Sequence, residues 1–159
     1  MPRIVLFEPD IPQNAGTIMR LAACFGLPLD IIEPCGFVLD DRRLARAGMD
    51  YRRLVALTVH ASWRAYRASG QAGRLVVADP AGTVPHTAFA YAPNDRLLFG
   101  RESVGVDDAV REAADALVRI PMRAATRSLN VAVAAAIVTA EALRQTGGFP
   151  TLQSARTDE

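Results

Sequence analysis

The sequence predicts a single α/β domain with a mostly parallel sheet flanked by helices. Three observations carry that expectation. Short apolar runs rich in strand formers alternate with segments of helical spacing along the chain. The 159 residues are enough for one domain with a sizeable core. Half the residues are hydrophobic and 22% are charged, an ordinary globular balance with no internal repeat or low-complexity linker. The domain is expected to span residues 1–150, with a polar, frayed tail over 151–159.

Ile4–Phe7 reads as a buried strand, closed by Pro9 and Pro12, which cannot donate to a ladder. From Gln13 and Asn14 onward, Ile18, Leu21, Ala22 and Phe25 recur at helical spacing, and Gly26 sits where a helix ends; Asn14 is a candidate cap. Further strands are expected at Leu29–Ile32, Leu54–Val59, Leu75–Ala78, Leu97–Phe99 and Ala116–Ile120. Helices are expected at Arg42–Ala47, Ser62–Ser69 and Asp107–Ala114. The last helix starts near Ser128 and stops at Gly147 and Gly148. Its first three turns are apolar all round, which predicts burial in the core and against a second subunit.

A formal net charge of +1 makes no case for nucleic acid by itself, so any basic surface must be local. Every one of the 18 basic residues is arginine, whose planar fork suits phosphates, although a compositional bias gives the same count. Cys24 and Cys35 form no CxxC pair, and His60 and His86 lie far apart in sequence, so neither a metal nor a disulfide is expected. The N-terminus turns acidic too early for a secretory leader, and the longest uncharged apolar stretch, Leu129–Ala140, is shorter than a bilayer requires. A cytoplasmic setting is the expectation.

Three stretches carry candidate chemistry, and each follows a predicted strand. The first runs from Asn14 through Gly16 to Arg20; the second is the LLFGRESVG run from Leu97 to Gly105; the third runs from Ile120 and Met122 through Arg123, Arg127, Ser128 and Leu129 to Asn130. Ligands gather at the carboxyl ends of strands in open α/β sheets, so loops far apart in sequence can meet at one site. Glycines at 100 and 105 free backbone groups for a ligand and leave Glu102 at the strand's mouth. No G-x-G-x-x-G fingerprint is present, which disfavours an ordinary dinucleotide site. Arg42, Arg43 and Arg46 with Tyr51 form a local basic run with one aromatic able to stack on a splayed base, and Arg123 and Arg127 add positive charge nearer the expected site.

With these stretches in view, the sequence resembles the SPOUT RNA methyltransferases, most closely the tRNA (cytidine/uridine-2'-O-)-methyltransferases that modify the wobble nucleotide. The carriers are EPDIPQNAGTIMR over 8–20, IIEPCGF over 31–37, RLARAGMDY over 43–51, LLFGRESVG over 97–105, and IPM with RSLN over 120–122 and 127–130. The resemblance implies a C-terminal trefoil knot, a homodimer, and S-adenosylmethionine bent into the knot. It places cofactor contacts at Ala78, Gly100, Ile120, Met122, Ser128 and Leu129. It gives Arg20 the central role of activating or orienting the ribose hydroxyl and makes the anticodon loop of tRNA the partner. Asn14 would then position the ribose or its phosphate, Glu102 would orient an arginine or accept a proton through water, and Asn130 with Ser128 would fix the cofactor end. Ala132 and Val133 stand where relatives carry Ser-Asn, and Ala140 replaces an aromatic. The alternative reading is a catalytically inactive dimeric RNA-binding module of the same fold.

Overall fold

A computed structural model describes residues 1–39 and 50–151. The predicted helix over 42–47 and the tail beyond 151 lie outside them. The strands are β1 (Arg3–Phe7), β2 (Leu29–Ile32), β3 (Leu57–His60), β4 (Leu75–Ala78), β5 (Val84–Pro85), β6 (Arg96–Phe99) and β7 (Ala116–Arg119). Between them lie α1 (Pro12–Phe25), a 3-10 helix (Asp50–Leu54), α2 (Trp63–Ala68), α3 (Asp108–Glu112) and finally α4 (Val131–Thr146). Among the described residues, seven strands join one sheet in the order β3-β2-β1-β6-β4-β7-β5, and every pairing of these strands is parallel.

The sheet is covered on both faces, which explains why its strands are continuous apolar runs. Ile4 and Leu6 point to one side with Leu29, Ile31, Val76, Leu97 and Phe99, where Ile18, Met19 and Ala22 of α1 and Ala135, Val138 and Leu143 of α4 pack on them. Val5 and Phe7 point to the other with Leu75, Val77 and Leu98, under Tyr66 of α2 and Val110 of α3. This period-2 alternation along β1 is what two packed faces require.

Local chemistry sets the element ends. Pro12 takes the first turn of α1, where its missing N–H costs nothing, and Gly26 ends the helix at φ 65. Asn14 is therefore inside the first turn and is not the cap; residue 11 holds that place without a side-chain bond. Asn130 does cap α4, accepting from the backbone N–H of Ala132 at 2.8 Å, and Gly147 ends it at φ 63. The expected strand over 54–59 divides into a 3-10 turn and β3, and β5 is an added two-residue edge strand. Helix α4 buries one face, while Val133 on the other is 47% exposed.

Candidate functional site

Loops leaving the carboxyl ends of β1, β4, β6 and β7 surround one cleft of about 650 Å³, within the ~300–1,000 Å³ usual for small-molecule sites. Ala78, Gly100, Ile120, Met122, Ser128 and Leu129, the six expected cofactor contacts, all line it, as do Asn14, Glu102 and Asn130. Residues from all three stretches singled out in the sequence thus converge, the first represented by Asn14 alone.

Side-chain bonds tie the convergence together. Asn14 Nδ2 donates to Glu102 Oε1 at 3.0 Å, Asn130 Nδ2 donates to Asn14 Oδ1 at 2.9 Å, and Asn130 Oδ1 takes the N–H groups of α4. The direction of each amide is fixed from its ends: a carboxylate only accepts, and a helix N-terminus only donates. Asn14 still has one N–H and one lone pair to offer a ligand.

The β1 and β6 loops are joined residue by residue. Glu8 pairs with Arg101 at 3.1 Å, the backbone N–H of Asp10 donates to Glu102 Oε2 at 2.8 Å, and Ser103 donates to Asp10 Oδ2 through both its hydroxyl and its backbone N–H. Arg101 also reaches Asp107 at 2.9 Å. Glu8 has φ 45, an uncommon conformation for a residue with a side chain. Burial raises its carboxyl above the ordinary value, opposed by the Arg101 charge. Gly100 has no room for a side chain, since a Cβ there would lie 2.5 Å from the carbonyl carbon of Gly105.

Asp79 and Arg111 form a second wall. The almost buried Asp79 carboxylate accepts from Ala81 N at 2.8 Å and from Arg111 Nε at 3.0 Å, and Arg111 also pairs with Asp108. Sequence reading missed both residues, although Asp79 directly follows a strand and the strand-end rule applies to it equally. It also missed Asp10 and Ser103, which lay within the quoted motifs and were given no role.

Arg20 is placed elsewhere. It is exposed, does not line the cleft, and sets its guanidinium 4.7 Å from the ring centre of Tyr51. It lies six positions beyond Asn14, about 9 Å of rise and roughly 240° of rotation along α1. Arg123 and Arg127 lie on an exposed loop between β7 and α4 that is closed by a turn from Thr126 to Arg123. Arg42, Arg43 and Arg46 fall outside the described residues. Among those described, no group of His, Cys, Asp and Glu residues could hold a metal ion, and no helix is long and apolar enough to cross a membrane.

The model of the SpoU rRNA Methylase family matches residues 1–140. A tRNA (cytidine(34)-2'-O)-methyltransferase from Beijerinckia indica is 52% identical over 156 residues, covering 96% of each chain. A solved structure concerned with 2-OH methylation of C/U34 on tRNA superposes with a TM-score of 0.85 at 39% identity, covering 91% of this chain and 95% of that one. The SpoU methyltransferase AviRb from Streptomyces viridochromogenes, in complex with AdoMet, gives a TM-score of 0.77 at 29% identity over 91% of this chain and 60% of its own.

Proposed function

The chain belongs to the SpoU rRNA methylase family, and we propose that it is a methyltransferase of tRNA: it moves a methyl group from S-adenosylmethionine to the ribose 2'-hydroxyl of the wobble cytidine or uridine, position 34 of the anticodon loop. The observation that carries this reading is the bond sequence from Glu102 through Asn14 to Asn130. It fixes polar groups from three strand ends beside a cleft of the right size for the cofactor.

The residues present fit that cofactor. Ala78, Gly100 and Ile120 offer backbone groups, the lack of space at Gly100 keeps the floor free of side chains, and Met122 and Leu129 provide apolar walls. Bound S-adenosylmethionine supplies an electrophilic methyl group on a sulfonium, and alignment with the attacking oxygen contributes several kcal/mol of barrier lowering. Asn14 orients the ribose with its spare donor and acceptor. Glu102 uses both oxygens to hold Asn14 and the Asp10 backbone, and so serves as a bracket. Asn130 joins that bracket to α4, with Ser128 beside it at the cofactor end.

Arg20 steers the hydroxyl. A guanidinium stays protonated at working pH, so it holds the neighbouring phosphate and stabilises the developing alkoxide. The O–CH3 bond would form as the sulfonium S–CH3 bond breaks to leave S-adenosylhomocysteine, and the hydroxyl proton would pass to water. Because Arg20 does not line its own cleft, we assign it to the cleft of a second copy in a homodimer. Gln13, Thr17, Arg20 and Cys24 form the exposed stripe of α1, and α4, which packs on α1, presents exposed Val133. Arg123 and Arg127, with Arg42, Arg43 and Arg46, are assigned to RNA phosphates. The C-terminal segment is read as threaded, since the chain returns from β7 near the sheet edge to lay α4 against α1 and β6 in the middle.

Incubation of the whole protein with total tRNA and methyl-labelled cofactor tests the proposal. Label is expected on the ribose of nucleotide 34, and Arg20→Ala should abolish turnover while cofactor affinity is retained. Label on a base, on another position, or on no tRNA at all rejects it. Cofactor binding without any transfer is the outcome that an inactive RNA-binding module of this fold would give.

A further inference from the structure

The aromatic ring of Tyr51 lies under the guanidinium of Arg20, 4.7 Å from ring centre to Cζ, inside the ~6 Å reach of a cation–π contact. The ring comes from the 3-10 helix Asp50–Leu54, which packs against α1. Val55, the next residue along, is buried in the core beside Ala22 and Leu29, so the turn that carries Tyr51 has a fixed footing. Tyr51 itself is half-buried.

A guanidinium can be held by its edges or by its face. A carboxylate takes the edges, occupies N–H donors and cancels the charge. An aromatic ring takes the face, leaves all five donors free in their plane, and attracts the cation through its quadrupole without neutralising it. A phosphate or a developing alkoxide needs the donors and the charge. The ring also limits the rotamers of a long exposed side chain that would otherwise be lost on reaching the transition state.

We infer that Tyr51 is the positioning residue of Arg20: its ring pre-orients the guanidinium that meets the reacting ribose, and it does not stack on an RNA base. This rests on the proposed role of Arg20 in tRNA ribose methylation. It predicts an effect on turnover, whereas a base-stacking tyrosine would act on RNA affinity.

The test uses the full chain with Tyr51→Leu and Tyr51→Phe, steady-state kinetics against tRNA, cofactor affinity by calorimetry, and NMR of the Arg20 side chain. Tyr51→Leu should lower kcat roughly two- to fivefold, as expected for loss of a cation–π contact at an exposed arginine. KM for tRNA and cofactor affinity should stay near their parent values. Tyr51→Phe keeps the face and should keep the rate. The ring-current shift of the Arg20 side-chain protons should be present in the parent and in Tyr51→Phe and absent in Tyr51→Leu. A raised KM for tRNA with unchanged kcat would assign the ring to RNA, and an unchanged rate in Tyr51→Leu would leave it with no role; either overturns the inference. A parent protein that shows the ring-current shift but methylates no tRNA rejects the functional reading and the inference with it, while an active parent without the shift rejects the inference alone.

Discussion

At the scale of single residues, Glu102 differs from an ordinary exposed carboxylate because both oxygens accept bonds from the site itself. Glu102→Gln puts a donor where Asp10 N–H or Asn14 Nδ2 needs an acceptor. The cost of one such mismatch is about 1–3 kcal/mol, so kcat/KM should fall on the order of ten- to hundredfold with the fold intact by circular dichroism. Cys35 allows a separate check. Its burial, reinforced by Glu33, Glu8 and Glu102, pushes the thiol up to about 12 from its ordinary 9. The folded state therefore keeps that proton after the unfolded chain has lost it, and the Cys35 contribution to stability declines from about pH 9 upward. Alkylation at pH 8 is expected to label exposed Cys24 well before half-buried Cys35, and equal rates would remove the argument. That Asn14, Glu102 and Asn130 meet at one cleft was legible because each lies in a stretch that follows a strand. Asp79 and Arg111 were not, since their pairing spans 32 residues and neither stretch announces the other. The direction of Arg20 was equally hidden, because helical spacing fixes angles between residues and not how the helix is turned against the sheet.

At the scale of elements, the start of α4 performs two tasks through one side chain. Asn130 satisfies backbone donors with its oxygen and holds Asn14 with its nitrogen. Two substitutions separate these tasks. Asn130→Ala loses both, so stability should fall by about 1 kcal/mol, with a lower Tm and lower kcat. Asn130→Asp keeps a good cap but turns an acceptor toward Asn14 Oδ1, so Tm should stay near the parent value while kcat falls. Equal turnover in parent and Asn130→Asp would show that the bond to Asn14 is idle. Elements with strong punctuation were read well from sequence: Gly26 and Gly147 end their helices in the left-handed conformation expected of them. The misread boundaries have physical causes. Pro12 could be taken as a stop or as a first-turn residue, and the second holds because the strand had already ended at Phe7. The apolar run over 54–59 gave no sign that Val55 would turn into the core by way of a 3-10 helix. A two-residue strand such as β5 has no period to detect.

For the whole molecule, alternation of strands and helices foretold a parallel sheet, but not that β6 would lie between β1 and β4. That placement matters for function. It puts the Gly100–Gly105 loop beside the β1 loop, so that Glu8, Asp10 and Asn14 can reach Arg101, Ser103 and Glu102 across about ninety residues of chain. Arg20 is not among the residues that line the cleft, which makes the site incomplete within one copy under the proposed mechanism. Mixing two inactive variants tests this directly. Arg20→Ala removes the steering cation and leaves the cleft; Gly100→Val displaces the cleft-lining loop, since even a Cβ there meets the Gly105 backbone at 2.5 Å, and leaves Arg20. After exchange of equal amounts, half the dimers are mixed, and each mixed dimer holds one cleft that is intact and faces an intact Arg20. About a quarter of the parent activity should therefore return, from two preparations that have none alone. If Arg20 served the cleft of its own chain, each mixed dimer would pair every intact cleft with a missing arginine, and no activity would return.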